Sequence, residues 1–469
     1  MTFVQVQFLG FFAVVFAAYW SFPSRVGQNA ILLVASLYFY GCVHPWFLIL
    51  LAYSTLFDYA VCLAMQRYPE RAKALLALSV VGSLLLLGIF KYLDFFIESF
   101  AALQAELGLR PSVAALGIVL PVGISFYTFQ TMSYAFDVYK GTLQPRRSLL
   151  DYATYVVMFP QLVAGPIERA RSLLPQVEAV RTLDWQRVRS GLGLAFWGAV
   201  KKIVVADTIG MYVGSVFAMQ QPSKLLIAAG TVGFAVQILA DFGGYTDIAR
   251  GTARMLGLEL TKNFAHPYLA ASPSEFWRRW HISLSSWIHE YLYVPLGGSG
   301  RGPLRRLGAT YGALLLSGLW HGASWNFVIW GGYHATLLSA YRVGGALIPA
   351  RVRTHPRLRP VAIVVMFGFT CLGWLLFREQ SLAKLRWIVT EAPWVGTAEH
   401  AVLTTAMAAV AALCGGALVL ALVVERALAR RNLRIDERPF LLGAGWGACA
   451  LVIFLFSRDT ASDFIYFRF

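Results

Sequence analysis

Two histidines lie at positions where burial of an ionisable ring costs free energy, and both are candidate catalytic residues. His321 lies near the middle of residues 307–341, thirty-five residues that contain no Lys, Arg, Asp or Glu. Because a helix rises about 1.5 Å per residue and a bilayer core is about 30 Å thick, we expect this imidazole to lie at membrane depth. An ionisable side chain at that depth indicates a functional site; the alternative is a neutral ring hydrogen-bonded to a neighbouring helix.

The second histidine, His281, belongs to a predicted amphipathic helix. The sequence SPSE at residues 272–275 is a capping box with proline at the first helical position, so we expect a continuous helix from residue 272 to about 291. His281 falls on the same stripe of this helix as Trp277 and Trp280. A histidine on an apolar, Trp-rich face indicates that the ring meets a partner there, and the helix is typical of a membrane interface.

The neighbours of the two histidines suit the binding of a ligand. Gly318 and Gly322 flank His321 and allow a backbone or a ligand to come close. Trp320 and Trp325 supply rigid walls with one hydrogen-bond donor each.

The elements that carry these residues are predicted to be transmembrane helices. The chain has 469 residues, of which 58% are hydrophobic and 14% charged, and its mean hydropathy is +0.60. This composition excludes a soluble domain and indicates an all-α polytopic membrane protein. The net charge of +16 is carried by loops between apolar runs, so it indicates positive-inside patterning with anionic lipid as partner and no nucleic acid.

About eleven to thirteen membrane segments are expected in a single domain over residues 1–469, some of them re-entrant or interfacial. The apolar runs are residues 3–22, 29–41, 44–65, 74–90, 113–136, 152–164, 190–218, 225–247, 307–341, 361–377, 402–424 and 440–456. Basic turns between them place both the N-terminus and the C-terminal tail outside the cell.

The run at residues 307–341 has basic residues on both sides, which predicts that both of its ends face the cytoplasm. Thirty-five residues barely suffice for two crossings, so we expect a broken or re-entrant helix pair. Such a break is tolerated only where it lines protein or a water-filled cavity, which predicts His321 on a buried funnel. No nucleotide-binding or metal-ligand motif accompanies it, and we expect no bound metal.

Several sequence blocks, spread over nearly the whole chain, resemble one known family. They are PVGISFYTFQTMSY with DVYKG at residues 121–141, FPQLVAGPIER at 159–169, KKIVVAD at 201–207, DFGGYTDIARG at 241–251, FWRRWHISLSSW at 276–287, YLYVPLGG at 291–298 and LWHGASWNFVIWG at 319–331. The family is that of the membrane-bound O-acyltransferases (MBOAT), in particular the bacterial branch of alginate O-acetyltransferase and the related teichoic acid D-alanyl transfer proteins. His289 and Glu290 depart from the family pattern, and no role is transferred to them.

The resemblance implies a bowl of transmembrane helices around a central funnel in the bacterial inner membrane. It implies transfer of an acyl group, acetyl in this branch, from cytoplasmic acetyl-CoA, with no bound cofactor. The acceptor would be an extracytoplasmic polysaccharide reached through a periplasmic acyl-accepting partner. The sequence leaves the acceptor polymer open, and it also leaves open D-alanyl or a longer acyl chain in place of acetyl.

The resemblance also implies roles for individual residues. His321 is expected to act as general base on the acceptor hydroxyl, and His281 to orient it or contact the thioester; the reverse assignment stays open. Donors for the developing oxyanion are expected from Trp320, Trp325 and Asn326.

Further substrate contacts are expected around the second histidine block, from Trp277, Trp280, Arg278 and Arg279. The two guanidiniums suit the phosphates of acyl-CoA, the alternative being contact with lipid headgroups.

The C-terminal tail FIYFRF, residues 464–469, resembles the aromatic ending of this branch. Tyr466 is then expected to relay the acyl group on the outer face; the alternative is an aromatic anchor at the membrane interface.

Two other function classes compete with an enzyme. A transporter or flippase for a glycan precursor would use intramembrane His and Asp as proton relays, but the sequence lacks paired discontinuous segments in two halves. A non-catalytic scaffold for secretion partners is disfavoured by the presence of both His281 and His321.

Overall fold

The regular structure of the described residues is helical throughout. The computed structural model describes residues 1–110, 113–162, 165–298, 300, 302–347, 355–430 and 439–457. Packing divides the chain into two units, Met1–Val188 with Thr252–Thr261 and Arg189–Gly251 with Lys262–Phe469. The predicted all-α fold is confirmed.

The first unit contains nine helices among its described residues. They are α1 (Val6–Ser21), α2 (Arg25–Gly41), α3 (Phe47–Arg67), α4 (Ala72–Leu87), α5 (Leu93–Glu106), α6 (Ile124–Tyr139), α7 (Leu149–Val157), α8 (Phe159–Leu162) and α9 (Ala170–Glu178). A π-helical turn, Gly88–Tyr92, joins α4 to α5. The apolar run expected to start at residue 113 becomes helical only at Ile124, after Gly123 with a φ of 79°.

Interhelical hydrogen bonds join several buried polar groups of the first unit. The carboxylate of Asp58 on α3 accepts from the hydroxyls of Ser79 and Ser83 on α4, at 2.6 and 3.3 Å. The amide of Asn29 on α2 donates to Asp151 on α7 at 2.7 Å. Buried polar groups need such partners, and here they join neighbouring helices.

The second unit carries the two histidine blocks. Its helices, with two that run across the unit boundary, are α10 (Trp185–Ala199), α11 (Asp207–Ala218), α12 (Lys224–Met255), α13 (Pro273–Arg279), α14 (Ile282–Ile288), α15 (Pro303–His321), α16 (Trp325–Leu347), α17 (Arg359–Arg378), α18 (Leu382–Thr390), α19 (Ala398–Arg430) and α20 (Pro439–Phe456). A π-helical segment, Val200–Ala206, joins α10 to α11.

Five stretches of the described residues are long and apolar enough to cross a membrane. They are Phe47–Arg67, Pro69–Glu106, Lys224–Met255, Pro356–Arg378 and Ala398–Ala427. The polytopic membrane architecture is thereby confirmed, whereas the expected total of eleven to thirteen segments stays a prediction.

The continuous helix predicted from residue 272 to 291 is wrong. Its start is confirmed, because the Ser272 hydroxyl accepts from the backbone N–H of Glu275. The helix then ends at Arg279, and a new one begins at Ile282. His281 lies between them with a φ of 42°, which no helical residue adopts. The amphipathic stripe is therefore divided between α13 and α14.

The broken helix pair expected around His321 is present. Helix α15 ends at His321, and α16 begins at Trp325. The helices extend beyond the uncharged run at both ends. With 19 and 23 residues, they are about 28 and 34 Å long at 1.5 Å per residue.

Candidate active site

The crossing of α15 and α16 depends on two glycines. A Cβ on residue 318 would lie 2.1 Å from the carbonyl oxygen of Phe327, and one on residue 331 would lie 2.3 Å from that of Leu314. Only hydrogen fits at either position, so the two backbones touch. This close approach brings Trp330 of α16 beside the end of α15.

His321 is enclosed by aromatic rings at the end of α15 and has 4% of its surface exposed. Its imidazole centroid lies 5.1 Å from Trp330 and 5.4 Å from Phe377 of α17. The indole of Trp320 lies 5.0 Å away. All three contacts are edge-to-face, a favoured geometry for aromatic pairs.

His281 approaches the same indole from a different element. Its ring lies 6.2 Å from Trp320 and 4.7 Å from Phe242 of α12, and 1% of the residue is exposed. The structure therefore brings both predicted catalytic histidines into contact with Trp320, although forty residues separate them in sequence. Imidazole can take up and return a proton near pH 7, which is the chemistry that acyl transfer to a hydroxyl requires.

The tryptophans predicted beside His281 join this aromatic cluster. Trp277 lies 5.8 Å from Trp330, and Trp280 lies 4.7 Å from Trp374 of α17. The indole nitrogens of Trp277, Trp330 and Trp374 are buried without a hydrogen-bond partner among the described residues. Buried donors of this kind are available to a bound acceptor atom.

His334 on α16 is a third buried histidine, which the sequence analysis did not select. Its ring lies 4.8 Å from Trp330 and 5.1 Å from Trp277, and 2% of the residue is exposed. Its Nδ1 has no hydrogen-bond partner within the described ranges. Residues 330 and 334 are four apart and therefore share one face of the helix, a spacing that could have identified it.

Trp325 and Asn326, two of the three residues predicted to stabilise an oxyanion, differ from Trp320 in exposure or in hydrogen bonding. Trp325 at the start of α16 has 52% of its surface exposed. The side chain of Asn326 is fully buried, but its Oδ1 accepts from Ser324 and its Nδ2 donates to the backbone carbonyl of Leu376 at 3.3 Å. Asn326 therefore fixes the turn between the helices, and Trp320 is the predicted donor that lies beside both histidines.

The two arginines of α13 differ from each other in exposure and in ion pairing. Arg278 is exposed, whereas Arg279 donates to Glu275 at 2.7 Å. Arg359 of α17 donates to the same carboxylate at 2.8 Å. Burial raises the pKa of Glu275, but the N–H of Ala271 and the two guanidiniums outweigh it and hold that pKa below its ordinary value. Arg279 is thus part of an ion-pair network, and Arg278 is the one accessible to an external phosphate.

A buried charge network lies next to the histidine site. Lys202 of the π-helical segment donates to Asp207 and pairs with Asp241 of α12, both at 2.7 Å, and 1% of the lysine is exposed. Asp241 immediately precedes Phe242, the ring that packs on His281. The KKIVVAD and DFGGYTDIARG blocks therefore meet in space, a pairing that the sequence analysis did not predict.

A close backbone approach supports this pairing. A Cβ on Gly198 of α10 would lie 2.6 Å from the carbonyl oxygen of Gly244 of α12, and one on Gly244 would lie 2.7 Å from that of Gly198. The absence of side chains at both positions lets the helices approach closely enough for Lys202 to reach Asp241.

The remaining predictions about the site are not addressed by this geometry. Tyr466 lies outside the described residues. Within the ranges that are described, no group of three or more His, Cys, Asp or Glu side chains could hold a metal ion.

Comparison with known proteins identifies the family of this site. Residues 145–378, which include both histidine blocks, match the model of MBOAT, the membrane-bound O-acyltransferase family. The "Probable alginate O-acetylase AlgI" of Pseudomonas aeruginosa is 37% identical over 395 residues, which cover 84% of this chain and 74% of that protein. The "Peptidoglycan O-acetyltransferase" of Helicobacter pylori is 34% identical, with 81% and 76% covered.

A more distant relative differs in the acyl group that its name gives. The "Teichoic acid D-alanyltransferase" of Bacillus subtilis is 27% identical over 277 residues, which cover 55% of this chain and 68% of that protein. The chain therefore belongs to the membrane-bound O-acyltransferase family and is a multi-pass membrane acyltransferase.

Proposed function

We propose that this acyltransferase moves an acetyl group from acetyl-CoA, on the cytoplasmic side of a bacterial inner membrane, toward O-acetylation of an extracytoplasmic polysaccharide. The observation that carries the proposal is the placement of both His281 and His321 beside the indole of Trp320. The acetyl group is supported by the relatives named as alginate O-acetylase and peptidoglycan O-acetyltransferase.

The chemistry assigned to the site is general-base catalysis of acyl transfer. His321 takes the proton of the acceptor hydroxyl while the hydroxyl oxygen attacks the thioester carbonyl. The carbon–sulfur bond then breaks, and the leaving thiolate of CoA receives the proton from the imidazolium. His281 orients the thioester, and the indole N–H groups of the aromatic cluster stabilise the oxyanion that develops on the carbonyl oxygen.

The final acceptor is proposed to be reached through a periplasmic partner protein. The relatives are named for alginate, peptidoglycan and teichoic acid, which are different polymers. A shared membrane site with an interchangeable partner accounts for such variety, because the membrane protein then needs to recognise only the donor and the partner.

Tyr466 is proposed to carry the acetyl group on the outer face before the partner receives it. Its phenol oxygen would attack the thioester carbonyl, the carbon–sulfur bond would break, and CoA would leave as the thiol with the phenol proton. The partner's hydroxyl would then attack the aryl ester, taking the acetyl group and returning a proton to the Tyr466 phenol. Tyr466→Phe keeps an aromatic anchor but removes the nucleophile. We expect this variant to lose transfer to the partner at normal expression; full activity would leave only the anchor role.

The test of the main proposal is thioester cleavage by purified protein. Wild type, His321→Ala and His281→Ala are compared in detergent for release of CoA from acetyl-CoA and for acetyl transfer. His400→Ala on α19, a histidine outside the aromatic cluster, is the matched control. We expect loss of at least about a hundredfold for His321→Ala and wild-type rates for His400→Ala. Equal rates in wild type and His321→Ala would move the base to another residue.

A further inference from the structure

The peptide that precedes the second histidine block holds that block through backbone and side-chain hydrogen bonds. The backbone carbonyl of Asn263 accepts from the N–H of Ile282 at 2.9 Å, and the N–H of Ala265 donates to the carbonyl of Arg279 at 3.0 Å. These two bonds enclose Trp280 and His281. The side chain of Asn263 adds two more bonds on the far side of the histidine.

Both of the latter bonds end on one atom. Oδ1 of Asn263 accepts from the backbone N–H of Ser283 at 3.2 Å and from the Ser283 hydroxyl at 2.7 Å. Asn263 is completely buried, and Ser283 is 2% exposed. The N–H groups of Ile282 and Ser283 lie at the start of α14, where no carbonyl of the same helix is available to them. Asn263 satisfies both donors from outside the helix.

His281 needs this support because its backbone is strained. Its φ of 42° and ψ of 57° lie in the left-handed region, which a residue with a Cβ adopts only at a cost. Strained residues persist where the surrounding structure determines them and cluster at functional sites. Hydrogen bonds before and after His281 impose this conformation, and the conformation turns the imidazole toward Trp320 instead of along the stripe of a continuous helix.

The side-chain nitrogen of Asn263 contributes nothing to this arrangement. Its Nδ2 is buried with no hydrogen-bond partner among the residues that the structure describes. An apolar residue would avoid the cost of this donor, but it would remove the acceptor that the buried N–H and hydroxyl of Ser283 use. The side chain of Asn263 therefore acts through its oxygen, which holds the start of α14.

We propose that Asn263 is a positioning residue for the acyl transfer reaction, which holds the His281 imidazole against Trp320 by fixing the backbone that directly follows the left-handed histidine. The inference rests on the proposed function in one respect, the participation of His281. Asn263 does not touch the reacting atoms; it acts through His281.

The first arm of the test measures turnover of acetyl-CoA by purified full-length variants. Asn263→Ala removes the Oδ1 acceptor, and we expect turnover to fall roughly tenfold or more, because small displacements of a catalytic group have large effects on rate. Asn263→Asp keeps an oxygen that accepts both bonds and is expected to recover part of the rate. Asn29→Ala in the first unit is the matched control. This asparagine is equally buried and hydrogen-bonded, and its loss should leave turnover per folded molecule unchanged.

The second arm separates positioning from general destabilisation. In a His281→Ala background, Asn263→Ala should cause no further loss of turnover, since the residue it positions is gone. A loss of the same size in both backgrounds would overturn the proposal, as would turnover within twofold of wild type for Asn263→Ala alone.

The third arm does not depend on catalysis. Diethyl pyrocarbonate modifies accessible imidazoles, and mass spectrometry of the peptide that contains residue 281 measures the rate. We expect faster modification of His281 in Asn263→Ala than in wild type or Asn29→Ala. If wild type cleaves no acetyl-CoA, the proposed donor is wrong, and this arm still decides the role of Asn263: unchanged protection of His281 would refute it.

Discussion

Gly373 of α17 packs directly against His334 of α16. A Cβ on residue 373 would lie 2.8 Å from Nε2 of the histidine, closer than carbon and nitrogen approach without displacement. His334 in turn contacts Trp330, the indole that packs on His321. Because residue 373 has no side chain, the imidazole of His334 can pack against the backbone of α17.

Gly373→Ala should consequently impair both stability and rate. Because His334 is enclosed by aromatic rings, the added methyl group forces a shift, at a cost of about 1–3 kcal/mol in unfolding free energy. We expect turnover of acetyl-CoA to fall as Trp330 and His321 are displaced. Gly368→Ala on the same helix is the control, because nothing lies within 4 Å of its Cβ position. Thermal unfolding in detergent and thioester cleavage measure the two effects; identical behaviour of the two variants would contradict the assignment.

Substitution of two adjacent glycines, Gly331 and Gly332, tests the close crossing of α15 and α16. Gly331→Ala places a methyl group 2.3 Å from the Leu314 carbonyl, so the helices must separate, and we expect a loss of about 3 kcal/mol or failure to fold. Gly332→Ala meets only a leucine methyl at 3.7 Å and should be tolerated. Expression and melting temperature report the difference. Comparable yields of both proteins at wild-type stability would show that the crossing is looser than the structure indicates.

The contribution of Trp320, whose indole contacts both histidines, can be distinguished from that of Trp325, which belongs to the same sequence block. Trp320→Leu removes the ring that both imidazoles contact and a candidate oxyanion donor, so turnover should drop roughly tenfold to a hundredfold. Trp325→Leu changes a half-exposed side chain and should retain more than half of the wild-type turnover. Steady-state kinetics with acetyl-CoA distinguish them, and a larger effect at position 325 would refute the placement of the donor at Trp320.

The charge network around Lys202 predicts that substitutions in it have non-additive effects on stability. Lys202→Met leaves the carboxylates of Asp207 and Asp241 without their shared cation, and breaking a buried pair in this way costs about 3–5 kcal/mol. Neutralising both partners as well, with Asp207→Asn and Asp241→Asn, should recover much of the loss. Unfolding temperatures of the single and triple variants provide the comparison. A triple variant less stable than Lys202→Met would exclude the pairing as the cause.

Local and compositional signals in the sequence predicted the features that depend on them. Uncharged runs identify membrane helices because a bilayer excludes charge, whatever the helix packs against. The capping box at Ser272 acts within one turn, and its hydrogen bond is present. The break after His321 follows from the length of an uncharged run with basic residues on both sides.

Tertiary contacts decided the geometry of the site. Periodicity placed His281 on a continuous helix, but hydrogen bonds from Asn263 and Ala265 terminate α13 and begin α14, and no sequence pattern reports partners that far away. The spacing of His334 from Trp330 places the two on one face of α16, but its contacts with Gly373 and Trp277 depend on other helices. Likewise, Lys202 and Asp241 are an ion pair only because two glycines let their backbones approach.

The amino-acid sequence by itself thus determined the membrane environment, the helical class and the two candidate histidines, since these follow from side-chain chemistry and short-range spacing. Packing between segments distant in sequence decided the rest. It set the orientation of His281, the tryptophan that contacts both histidines and the residues that hold them in place. Those contacts depend on close backbone approach and on the dense packing of side chains from several helices.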